Sequence, residues 1–134
     1  MPRFAANLSM MFTEWTFLDR FGAAADAGFD AVEYLFPYEF KPDEIAKRLQ
    51  VHGLTQALFN MPPGDWGKGE RGMAAIPGRE IEFRDGVAKA LVYAAATGVK
   101  RLHMMSGMIE PDRPDAVKTY RDNVAYAARE CSVY

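Results

Sequence analysis

"AADAGFDAVEYLF", Ala24–Phe36, decides the fold. An alanine-rich segment runs into Gly28, an apolar residue follows, and then a short apolar run. Glycine lacks the Cβ that makes left-handed backbone costly, so a glycine here reads as the end of a helix and the turn into a strand. The arrangement returns around Gly53 in "RLQVHGLTQALFN", Arg48–Asn60, and around Gly98 in "AAATGVKRLHMMS", Ala94–Ser106. When the first and third stretches are aligned on their glycines, Ala24 matches Ala94, Phe29 matches Val99, Val32 matches Leu102 and Glu33 matches His103. Three helix-to-strand joints follow.

Between the joints, apolar residues repeat at helical spacing. Phe17, Leu18, Phe21, Ala24 and Ala25 form one stripe, and Phe83, Val87, Ala90, Leu91 and Ala94 a second. Val117, Tyr120, Val124 and Ala128 form a third, and each stripe is expected to lie on a sheet. Start signals agree: Thr16 with Asp19, Pro42 before Asp43 and Glu44, and Pro114 before Asp115. Strands are expected at 3–7, 31–34, 54–59 and 101–104. A helix in every crossover makes the sheet parallel and its connections right-handed. The predicted architecture is therefore α/β, a parallel (βα)4 half of a TIM (β/α)8 barrel, with 1–134 as a single domain.

Composition removes several classes of function. The chain has 134 residues, 49% hydrophobic and 25% charged, with a net charge of -2. Its 16 basic residues are scattered against 18 acidic ones, so nucleic acid finds no basic face and no nucleic-acid partner is expected. No apolar run approaches the ~18 residues of a membrane span, which predicts no membrane partner. One cysteine, Cys131, allows no internal disulfide, and the N-terminal stretch has no sustained apolar core of a signal peptide. These features predict a cytoplasmic protein.

In parallel α/β folds the site forms at the C-terminal ends of the strands. Here those ends carry Asn7, Glu33, Asn60 and His103, which are expected to face one surface. The third strand opens into "NMPPGDWGKGERGMAAIPGRE", Asn60–Glu80, far longer than the ~2–6 residues usual for such a connection. It carries Trp66, Glu70 and Arg71 and is expected to serve as a wall or lid. Each residue also has a plain structural reading. Asn7 and Asn60 cap turns well, and His103 has no partner at metal-ligand spacing. Trp66 suits packing of the loop, and Arg71 and Arg79 suit either an anionic substrate or loop carbonyls. Glu33 stands out because a carboxylate inside an apolar run is costly unless paired or used. The pairs Met10–Met11 and Met104–Met105 are expected to fill core gaps. No P-loop, dinucleotide fingerprint, HExxH or nucleophile elbow occurs, so the residues alone name no reaction.

Four stretches add a resemblance: "RFAANLSMMFTE" at Arg3–Glu14, "GFDAVEYLFPYEF" at Gly28–Phe40, "NMPPGDWGKGERGMAAIPGREIEFRDGV" at Asn60–Val87 and "ATGVKRLHMMSG" at Ala96–Gly107. Together they resemble the N-terminal half of the hydroxypyruvate isomerase family, which includes 2-oxo-tetronate isomerases. The resemblance implies a xylose-isomerase-like TIM barrel that interconverts the aldehyde and ketone forms of a small hydroxy-oxo acid. It implies two glutamates and a divalent metal, Mg or Mn, with the long loop closing over the substrate. In the family those glutamates and metal ligands belong to the second half of the barrel. No catalytic or metal residue therefore transfers to this chain, which is expected to hold no metal and to be inactive alone. Asn7, Glu33, Asn60, Trp66, Arg71 and His103 remain as substrate-binding candidates. Phe59 stands where some relatives have His, which hints at the tetronate branch.

A half-barrel leaves two strand edges open, near Phe4 and near Leu102, and is expected to expose Phe4, Val32, Leu58 and Leu102. Association into a homo-oligomer, or with a missing C-terminal half, is the expected result. The rival reading is a noncatalytic half-barrel serving as a binding or assembly module.

Overall fold

The computed structural model describes residues 2–110 and 112–133. The elements run β1 (Ala6–Asn7), α1 (Arg20–Asp26), β2 (Ala31–Tyr34), α2 (Pro42–His52) and β3 (Thr55–Asn60), then a 3-10 turn (Trp66–Lys68), α3 (Glu80–Thr97), β4 (Leu102–His103) and α4 (Pro114–Cys131). One sheet holds the strands in the order β1-β2-β3-β4, the parallel (βα)4 arrangement read from the sequence. Gly28, Gly53 and Gly98 all have positive φ, at 88°, 63° and 70°.

Register settles which side chains share a face. Ala6 lies opposite Val32 and Asn7 opposite Glu33. Across the next pair, Val32 faces Gln56, the register slips by one residue, and Glu33 then faces Leu58 and Tyr34 faces Phe59. Side chains alternate across a strand, so Glu33 beside Asn7 forces Val32 and Tyr34 to the opposite, buried face. This corrects the expectation that Val32 is exposed: its side chain is fully buried. Phe4 is 72% exposed, whereas Leu58 and Leu102 are half-buried.

The chain divides into two compact units, Met1–Phe59 with Val92–Leu102, and Asn60–Leu91 with His103–Tyr134. The first is built on aromatic rings. Tyr34 and Phe59 stack at 6.2 Å, Tyr93 meets Phe59 edge-on at 6.5 Å, and the Tyr93 hydroxyl donates to the Phe40 carbonyl at 2.7 Å. Helix α1 begins later than its stripe suggested. Phe17 and Leu18 lie in the turn before it, Phe21 and Ala24 are buried, and the Thr16 hydroxyl bonds the Asp19 carboxylate instead of a free amide. Met10 and Met11 are exposed and do not fill the core, because both their N–H groups turn back onto the Asn7 carbonyl and leave the side chains outside.

In the second unit the α3 stripe Phe83, Val87, Ala90 and Leu91 is buried as read. The α4 stripe is not. Val117, Tyr120, Val124 and Ala128 are exposed, and the buried face is Ala116, Thr119, Asn123 and Ala127. Small residues there allow close approach, and the Asn123 amide donates to the Ala74 carbonyl at 3.0 Å. That bond anchors the face.

Candidate functional site

The end of β1 is closed by a short turn. Asn7 Oδ1 accepts from the Ser9 N–H at 3.0 Å, the local Asn-to-backbone bond that favours this residue in turns. Asn7 Nδ2 donates to Glu33 Oε1 at 3.0 Å, and the Leu8 N–H donates to the Glu33 carbonyl at 2.8 Å. Ser9 Oγ then accepts from the Leu35 N–H at 2.9 Å, and the Arg20 guanidinium donates to the Leu8 carbonyl at 2.7 Å. Glu33 is thus half-buried, paired through one oxygen, and left with Oε2 free of protein partners among the described residues.

The end of β3 repeats the device in the second unit. The Met61 N–H donates to the His103 carbonyl at 2.8 Å, and Asn60 Oδ1 lies 3.1 Å from His103 Nδ1. Asn60 is 5% exposed while His103 is exposed, so a buried amide holds an accessible ring.

The long loop is fixed along its length. Glu70 Oε2 accepts from the Asp65 N–H at 2.6 Å, and Glu70 Oε1 meets the Arg79 guanidinium at 2.7 Å. Arg79 also forms a two-pronged pair with Glu82, at 2.8 and 2.7 Å. The Arg79 guanidinium holds the Glu70 carboxyl below its ordinary range, and the two carboxylates, Glu82 first, push Arg79 up. The Lys68 ammonium does the same to Asp65 as Arg79 does to Glu70. Arg79 is therefore a structural clamp, not a cation open to an anionic substrate. Further on, Gly72 forms an antiparallel bridge with Ser106, the Ala75 N–H donates to the Ser106 carbonyl at 2.7 Å, and the Gly107 N–H donates to the Arg71 carbonyl at 3.1 Å.

Of the six candidates from the sequence, the structure brings together Asn7 with Glu33, Asn60 with His103 and Trp66 with Arg71. The Arg71 guanidinium lies 3.7 Å from the Trp66 ring centre and donates to the carbonyls of Trp66 and Glu70. Phe59 belongs to the aromatic core, so a side chain at that position points away from Asn7 and Glu33. Ser9 is a supporting residue the sequence reading did not single out, and Glu70, expected on a wall or lid, holds the loop itself together. The Asn-x-Ser spacing after β1 was an available signal for Ser9. Among the described residues no three His, Cys, Asp or Glu side chains group so as to hold a metal ion, and no helix is long and apolar enough to cross a membrane. Burial pushes the Cys131 thiol up, away from an activated thiolate.

Residues 21–134 match the family described as "Xylose isomerase-like TIM barrel". A 2-oxo-tetronate isomerase from Cupriavidus necator is 58% identical over 130 residues, which are 96% of this chain and 50% of the relative. The hydroxypyruvate isomerase of Escherichia coli is 52% identical over 107 residues, 80% of this chain and 42% of the relative. A crystal structure described as AP endonuclease, family 2, from Brucella melitensis superposes with a TM-score of 0.96 at 59% identity, covering 98% of this chain and 52% of that one. The chain spans about half the length of the curated relatives it matches.

Proposed function

Because this chain belongs to the xylose isomerase-like TIM-barrel family, we propose that it is the substrate-holding half of an isomerase acting on a small hydroxy-oxo acid, 2-oxo-tetronate in the first instance. The observation that carries this reading is the 58% identity to a 2-oxo-tetronate isomerase over 130 residues, 96% of this chain. The reaction moves a proton between adjacent carbons and needs an acid–base pair placed on either side of them. In this reading Asn7, Glu33, Trp66, Arg71 and His103 serve substrate binding with Asn60 buried behind His103, and the proton-transferring groups belong to the other half.

The residues described here do not fit the divalent ion that the resemblance implies, since no three suitable ligands group together among them. No step is therefore placed on a metal held by this chain. The fixed loop fits a permanent wall better than a lid. Its backbone bonds to 105–107 and the Glu70–Arg79 pair must all open before it can swing.

The test is complementation. The chain is mixed with the C-terminal half of the Cupriavidus necator relative, Mg²⁺ or Mn²⁺ and 2-oxo-tetronate, and isomerisation is followed by proton NMR. The chain alone should give no turnover and the mixture should. Turnover by the chain alone overturns the division of labour. A stable complex of the two halves that leaves 2-oxo-tetronate unchanged, and hydroxypyruvate unchanged in a parallel sample, overturns the isomerase reading.

A further inference from the structure

Asn60 is too buried to be a substrate ligand in its own right, and its carbonyl oxygen points at a ring nitrogen. Oxygen Oδ1 is an acceptor only, so at 3.1 Å the group opposite it, His103 Nδ1, must carry the proton. In a neutral imidazole one nitrogen donates and the other accepts, and the bond made by the first decides the second. In the neutral ring Nε2 is then the acceptor, on an exposed side chain, with no protein partner among the described residues. The backbone reinforces this, since the Met61 N–H holds the His103 carbonyl at 2.8 Å and fixes the strand end that carries the ring.

We propose that Asn60 is a positioning residue that locks His103 in its Nδ1–H form, so that Nε2 accepts a hydrogen bond from a hydroxyl group of the substrate. A lone pair at Nε2 attracts an O–H donor and repels a carboxylate. His103 therefore recognises the hydroxyl-bearing carbons of a polyhydroxy acid and not its acid end. This assignment of substrate chemistry rests on the reading under Proposed function, whereas the tautomer does not.

The experiment reads the tautomer directly. Long-range proton–nitrogen correlation on the ¹⁵N-labelled chain near pH 8, above the ordinary imidazole pKa of ~6.5, distinguishes the protonated from the bare ring nitrogen. His52→Gln leaves His103 as the one imidazole. The expected spectrum shows a protonated Nδ1 and a bare Nε2. Asn60→Ala should move the ring toward Nε2–H, and Asn60→Asp, which keeps an acceptor oxygen, should retain Nδ1–H. A bare Nδ1 in the parent chain overturns the proposal, whatever the variants do. L-threonate and succinate, four-carbon acids with and without hydroxyls, are then titrated in. Movement of the Nε2 signal with threonate alone supports the hydroxyl assignment. Equal movement with both, or with neither, overturns it. None of these readouts depends on turnover, so failure of complementation and failure of this proposal remain separate results.

Discussion

After Asn7 the chain folds back within a few residues, and after Asn60 it runs through a long loop before the next helix, yet the two strand ends are closed by the same pair of bonds. In each, the residue following Asn donates its N–H at 2.8 Å to the carbonyl of the residue on the neighbouring strand, and the Asn side chain meets that residue's side chain at 3.0 or 3.1 Å. The difference lies in which end of the amide is used. Asn7 offers its NH2 to a carboxylate, while Asn60 offers its oxygen to an imidazole. An asparagine amide is both donor and acceptor, so one backbone arrangement can hold a carboxyl group in one place and an imidazole ring in another. The glycine alignment that matched Glu33 with His103 is the sequence trace of this repeat.

The greatest expected contrast is between a glycine of the long loop and a glycine at a helix-to-strand joint. A Cβ on Gly72 would come 2.1 Å from the Met105 carbonyl oxygen at φ +104°, a backbone contact that no side-chain rotation relieves. Gly28 has φ +88° but nothing within 4 Å of the added carbon. Gly72→Ala should therefore cost about 3 kcal/mol, combining clash and strain. Gly28→Ala should cost about 1–2 kcal/mol from the left-handed conformation alone. Urea unfolding of both variants checks this, and equal losses would mean that the long loop yields as easily as an open turn.

A smaller contrast tests the two amides. Asn7→Asp removes the donor to Glu33 and sets two carboxylates together, which should cost about 1–3 kcal/mol at neutral pH. Asn60→Asp keeps an oxygen facing the imidazole and should cost under about 1 kcal/mol. Equal destabilisation in urea titrations would show that the two ends differ in name only.

The strand positions were legible because glycine at a helix C-terminus is a local, steric signal, and the three joints carry it in the backbone itself. Position Glu33 was legible for a related reason, since a carboxylate in an apolar run demands a partner. What escaped was settled by partners distant in sequence. Helix α4 has two apolar-compatible stripes one residue apart, about 100° around the axis, and nothing local says which one packs. The choice of Ala116, Thr119, Asn123 and Ala127 depends on the Ala74 carbonyl that receives the Asn123 amide. The loop's fixity was equally hidden, because Glu70, Arg79 and Glu82 look like any solvated charges until the chain folds them onto one another.

That clamp makes one region sensitive to acid and leaves the other indifferent to it. Glu70 is held below its ordinary value of 4.5, chiefly by Arg79, so its folded pKa lies under its unfolded one. Its contribution is complete above 4.5 and is lost as the pH falls through the depressed folded value. The bond it receives from the Asp65 N–H weakens in the same window. The turn after β1 uses a neutral amide oxygen for the Ser9 N–H and a neutral hydroxyl for the Leu35 N–H, and neither acceptor titrates there. Hydrogen exchange, expressed as protection relative to the unstructured rate, should therefore fall for Asp65 below 4.5 while Ser9 and Leu35 keep theirs. Arg79→Met should bring the Asp65 loss to a higher pH, because Glu70 then titrates nearer its ordinary value. If the three amides lose protection together, acid opens the chain as a whole. If Asp65 stays protected through the window, the loop is held by its backbone bridge to Ser106, and the carboxylate clamp is secondary.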